Sequence, residues 1–136
     1  MSAVLTNYVK EISESENPRK SILKWTRGIE KECVMHGHII VATYARPYKT
    51  AGGIILSDNL RQEDVYQGSC GLIVAMAENA FKYDGSFKFE GTPPKLHDWV
   101  IYRAAEGMSI SYNKAACRIL RDESIKCTTQ HPERWY

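Results

Sequence analysis

The sequence predicts a mostly β chain, a small antiparallel barrel or sandwich preceded by a short helical N-terminal segment, and three observations predict it. From about Cys33 onward the apolar residues recur every second position in short runs, HIIVATY, GLIVAMA, DWVIYRA, MSISY, CRILR and SIKCTT. Gly, Pro, Asn and Asp separate these runs. No helical crossover lies between them, so five or six short strands argue for antiparallel pairing rather than a parallel α/β sheet.

The N-terminal third has a different period. Leu5, Tyr8, Val9 and Ile12 fall on one face of a short helix within residues 3–12. A second helix is signalled by Asn17-Pro18, an N-cap followed by proline at the first helical position, and by Ile22, Trp25, Thr26 and Ile29 at helical spacing. The polar stretch SESEN joins the two. The division expected is therefore a helical extension over residues 1–32 and a β domain over 33–136.

Among the β segments one hairpin can be placed. FKYDGSFKF, residues 81–89, alternates aromatic and polar residues about Asp84-Gly85, a dipeptide suited to a type I′ turn. Phe81, Tyr83, Phe87 and Phe89 can then give each arm an aromatic face, either a small core under the hairpin or a surface that meets other copies or a substrate.

Composition narrows the function classes. At 136 residues there is room for one domain, 43% apolar and 25% charged residues are ordinary globular values, and a net charge of +2 spread along the chain does not point to nucleic acid. Cys33, Cys70, Cys117 and Cys127 are scattered without a C-x-x-C, and read as buried thiols of a reducing compartment. The first twenty residues lack an apolar signal core and a small-residue cleavage site, and nowhere does an apolar run approach the ~20 residues of a membrane span. A cytoplasmic protein without membrane association is expected.

Catalytic and metal patterns are thin. His36-Gly37-His38 on a strand would point both imidazoles to one face, with Cys33 as a third ligand, but a closed site needs a fourth from a distant strand. The simpler reading is a polar strand entrance. Glu63-Asp64 and Asp122-Glu123 read as solvated charges, because neighbours on an extended chain point apart. Neither a nucleophile elbow nor a P-loop, zincin helix or dinucleotide fingerprint occurs, and Gly52-Gly53 lacks the lysine and helix of a phosphate cradle. The chain does not read as an enzyme, and no metal or other cofactor is called for.

One stretch resists these readings. KTAGGIILSDN, residues 49–59, sets Ile54, Ile55 and Leu56 between a glycine pair and polar residues, with nothing to hold them to a regular element. AGGIIL resembles the mobile loop of the GroES-like co-chaperonins, where Gly-Gly precedes an aliphatic tripeptide. Its neighbours fall in the family's order. HGHIIVATYARPYK resembles the strand that leads into that loop, and GLIVAMAENA the strand that follows it, with Gly71 and Ala75 matching and Ala77 where glycine is usual. FKYDGSFKF stands where the family carries its roof hairpin. HDWVIYR keeps Asp98, Val100 and Tyr102 of the next strand but has His97 in place of glycine, and CRILRDESIKC is similar to the closing segment at Ile119, Leu120, Asp122 and Ile125.

The resemblance spans roughly residues 36–128. It implies a small GroES-like antiparallel β-barrel with a flexible loop at about 46–67 and a roof hairpin at about 78–94. It further implies that Gly52, Gly53, Ile54, Ile55 and Leu56 bind the apical domains of a chaperonin ring. The partners implied are that chaperonin, an unfolded client in its cavity, and copies of the chain itself in a homo-oligomeric ring, a heptamer in the family, built by first and last strands pairing between neighbours. Residues 1–32, the tail HPERWY and the two missing glycines look more like a divergent, virus-encoded member than a housekeeping copy. A different use of the same ring, as a structural component of a virus particle, stays open.

Overall fold

The computed structural model describes residues 17–44, 69–82 and 93–135. All six expected strands form. They are β1 (His38–Thr43), β2 (Cys70–Met76), β3 (Trp99–Tyr102), β4 (Met108–Tyr112), β5 (Ala115–Arg121) and β6 (Ile125–Thr129). Every neighbouring pair is antiparallel, in one sheet of order β4-β5-β1-β2-β3-β6. β4 and β5 are joined by a two-residue turn at Asn113-Lys114, both at positive φ (49° and 66°) as a type I′ turn demands.

The helix expected from Asn17-Pro18 is α1 (Pro18–Trp25). The Asn17 carboxamide oxygen accepts from the Arg19 and Lys20 N–H groups at 3.0 and 3.3 Å, satisfying donors that have no intrahelical acceptor. The helical spacing of the apolar residues ran on to Ile29, but the helix stops sooner. Thr26 caps it, Gly28 turns the chain at φ 93°, and Ile29–Lys31 form one 3₁₀ turn.

This segment is no detached extension. Ile22 and Ile29 are buried in one cluster with Ile40, Ala42, Leu72, Val74 and Cys117. The opposite row, Ile39, Val41 and Ile73, gathers Val100, Tyr102 and Leu120 from strands on either side, as a curled sheet does. Consequently β1 and β2 are buried along both faces. That is why IIVA and LIVAM are nearly unbroken apolar runs, which departs from the period of two expected for these two segments.

Two expectations change here. β1, the first strand of the described residues, lies between β2 and β5, so it has no free edge to offer a neighbour; the open edges among the described residues are β4 and β6. The thiols also divide: Cys70 and Cys117 are buried, but Cys33 and Cys127 are exposed.

Candidate functional site

The segment that carries the aliphatic tripeptide runs from the end of β1 to the start of β2, and its two anchor points are tightly specified. The Tyr44 N–H donates to the Cys70 carbonyl at 2.9 Å, and Thr43 pairs with Gly71. β3 fixes the second anchor from its other side, with the Tyr102 N–H donating to the Ser69 carbonyl at 2.9 Å and the Tyr102 hydroxyl directed to the Cys70 carbonyl at 3.5 Å. The Tyr44 and Trp99 rings meet edge to face at 5.6 Å.

Gly71 is required by this packing. A Cβ there would stand 2.8 Å from the Ala42 carbonyl oxygen and 3.1 Å from the Tyr102 hydroxyl, so the glycine of the family pattern makes room for the tyrosine of the same pattern. Burial pushes the Tyr102 phenol well above its ordinary pKa, keeping it a neutral donor. Burial likewise pushes the Cys117 thiol up to about 12. Both side chains are buried within the apolar clusters on either face of the sheet, where they pack.

A second junction lies where β2 leaves the sheet. The Gly37 N–H donates to the Asn79 side-chain oxygen at 2.9 Å, the Asp122 N–H to the Gly37 carbonyl at 3.1 Å, and the Phe81 N–H to the Asp122 carboxylate at 2.9 Å. Three turns, at 36–37, 78–81 and 122–124, are thereby tied into one knot. Asp122 is thus not a merely solvated charge, because its carboxylate holds a backbone donor; Glu123 does stay at the surface, 3.2 Å from Arg121 Nε. The signal for Asp122 was its place in the family's closing segment. Asn79 carried none.

The expected site residues divide between these junctions and segments beyond them. Gly52, Gly53, Ile54, Ile55 and Leu56 lie outside the described residues, as do Tyr83, Asp84, Gly85, Phe87 and Phe89 of the hairpin and the helix expected over 3–12. Phe81 is described, and it departs from the expected arm. It sits in a turn at φ 60°, outside any described strand, with its ring buried against the Val100, Tyr102 and Leu120 cluster.

The histidine pair does not share a strand face. His36 and Gly37 form a left-handed turn, with φ 57° and 70°, and the strand starts at His38, whose Nδ1 donates to the Met35 carbonyl at 2.8 Å. Among the described residues no three His, Cys, Asp or Glu side chains come together as metal ligands would. His97, where the family pattern has glycine, takes φ 72° and donates its N–H to the Ile73 carbonyl at 2.8 Å, so the glycine conformation persists without the glycine.

The described geometry is therefore a framework that fixes two departure points, one for residues 45–68 and one for 83–92. No curated protein sequence matches the chain. Residues 33–129, which comprise all six strands and both junctions, match the family described as Chaperonin 10 Kd subunit, and the chain belongs to that GroES-like family.

Proposed function

We propose that this chain is a co-chaperonin that caps a chaperonin ring, with Ile54, Ile55 and Leu56 as its contact and Gly52-Gly53 giving the backbone freedom to approach. The observation that carries the reading is the position of AGGIIL. It lies in the segment between two anchors that β1, β2 and β3 hold in register, inside the stretch that matches the family. Chaperonin partnership and oligomerisation are general to that family; the contact residues, the ring size and action in the cytoplasm are this proposal's own.

Energetics favour a many-handed contact. Burying each aliphatic side chain in an apolar groove between apical-domain helices is worth roughly 1.5–3 kcal/mol. Ordering the segment takes back about 1–2 kcal/mol for each backbone residue fixed. One segment binds weakly. Several on one ring bind firmly, because each contact after the first is intramolecular, and they release when the partner changes shape.

Ile55→Asp tests the contact. A carboxylate cannot enter an apolar groove unpaired, so the variant is expected to lose capture of a chaperonin ring while keeping its own oligomer mass and thermal midpoint. Capture equal to that of the parent chain would reject Ile55 as a contact.

A further inference from the structure

We infer that Cys33, Met35 and His36 together bind one soft metal ion, copper(I). The three residues fall within four positions of the stretch that leads from the 3₁₀ turn into β1, and all three are exposed. Val34, between them, packs against both core clusters. On the extended chain that begins at Glu32 (φ −73°, ψ 144°), the neighbours of an inward residue point outward, so Cys33 and Met35 leave on the same side. Met35 is 60% exposed, more than any other large apolar side chain among the described residues, so its thioether adds little to the core.

The backbone that carries these donors is fixed. The Met35 carbonyl accepts from the His38 N–H at 3.1 Å and from its Nδ1 at 2.8 Å, and Gly37 is held on both sides by Asn79 and by the Asp122 N–H. A site needs such support behind its ligands. From Cys33 to Met35 the chain spans no more than about 7 Å, a gap that the two sulfur side chains can close around one ion. Thiolate and thioether are soft donors, which select copper(I), whereas a closed zinc site needs four donors. Among the described residues no third His, Cys, Asp or Glu joins Cys33 and His36, so the third donor is the thioether. On binding, the Cys33 thiol releases its proton to solvent and the thiolate balances the single charge of the ion. None of these residues belongs to the proposed chaperonin contact.

Competition for the ion tests the site. The reduced full chain is titrated, without oxygen, against copper(I) held as its coloured bicinchoninate complex. One equivalent is expected to pass to each chain with the oligomer mass unchanged, and Cys33→Ser is expected to lose it. Met35→Leu keeps the size of its side chain, and His36→Asn keeps a residue that tolerates the left-handed turn. Each is expected to weaken uptake by at least about tenfold, the lower bound for losing even an outer partner of a metal ligand. Cys127→Ser, which removes the other exposed thiol, is expected to bind as the parent does. Copper(I) is also expected to raise the thermal midpoint of the parent chain, and to raise that of Met35→Leu less.

No uptake by the parent chain would overturn the inference. So would equal loss in Cys127→Ser, or unchanged uptake in either Met35→Leu or His36→Asn, since the ion would then be held by a thiol without the other two donors. Zinc(II) taken up as tightly as copper(I) would overturn the choice of a soft ion.

Discussion

The central strands and the outer strands of this sheet are built from similar short apolar segments, yet they meet opposite environments. β1 and β2 are flanked by strands on both sides and covered on both faces, one by α1 and its 3₁₀ turn and the other by the Val100, Tyr102 and Leu120 row. Among the described residues β4 and β6 are flanked on one side only, and all ten of their residues are exposed or half-buried. The difference teaches that, among the described residues, burial and the stability it brings are concentrated in the middle of the sheet rather than at its ends. The aliphatic tripeptide 54–56 leaves from the stable middle, so its anchors stay fixed whatever it does.

The contrast can be broken at its strongest point by Leu72→Ala in β2. Leu72 has no exposed surface, and emptying its site is expected to cost about 2–5 kcal/mol, read as a fall in denaturation midpoint. A loss below about 1 kcal/mol would mean that the middle of the sheet is not where the stability lies.

Buried Cys117 gives a smaller, pH-dependent effect. Its folded pKa, about 12, lies above the ordinary 9.0, so its stabilising contribution is whole below pH 9 and drains away as the pH rises towards 12. At pH 10 the loss is about 1 kcal/mol, and Cys117→Ala is expected to flatten that part of the stability profile. Thiol reagents at pH 8 are expected to label Cys33 and Cys127 quickly and Cys117 slowly; equal rates would contradict its burial.

At the border of the stable region, His97→Gly is expected to gain roughly 0.5 kcal/mol. Relief of a left-handed side chain, about 1–2 kcal/mol, exceeds the added freedom of glycine in the unfolded chain, about 0.5–1 kcal/mol. A loss would show that the imidazole makes a contact worth more than its strain. The smallest effect belongs to the edge: Met108→Ala, at the exposed start of β4, is expected to move stability by no more than about 0.5 kcal/mol.

How much of this was legible beforehand follows from which forces are local. Strand identity is written in β-branched and aromatic runs, and the start of α1 in Asn17-Pro18, because pairing surfaces and caps are properties of neighbouring residues. The early end of α1 was not legible, since Ile29 keeps helical spacing while Gly28 turns the chain beneath it. Nor was the knot of Gly37, Asn79, Phe81 and Asp122, which joins turns more than forty residues apart through hydrogen bonds that leave no period in the sequence. The tripeptide stands out for a local reason: it is an aliphatic run beside Gly-Gly, outside any strand or helix pattern, and the proposal gives it a use in binding a chaperonin.

That use is the central claim, and one assay tests it most directly. The purified protein is mixed with a bacterial chaperonin, ATP and a denatured client, and both the ATPase rate and the recovered client activity are measured, because a partner that binds one conformational state of the chaperonin better than another must shift both. The account predicts an altered ATPase rate and a client rescued beyond what the chaperonin achieves alone, with both effects lost when Ile54, Ile55 and Leu56 are changed together to serine. Unchanged ATPase and refolding with the parent chain, or full effect with the triple-serine variant, would contradict it.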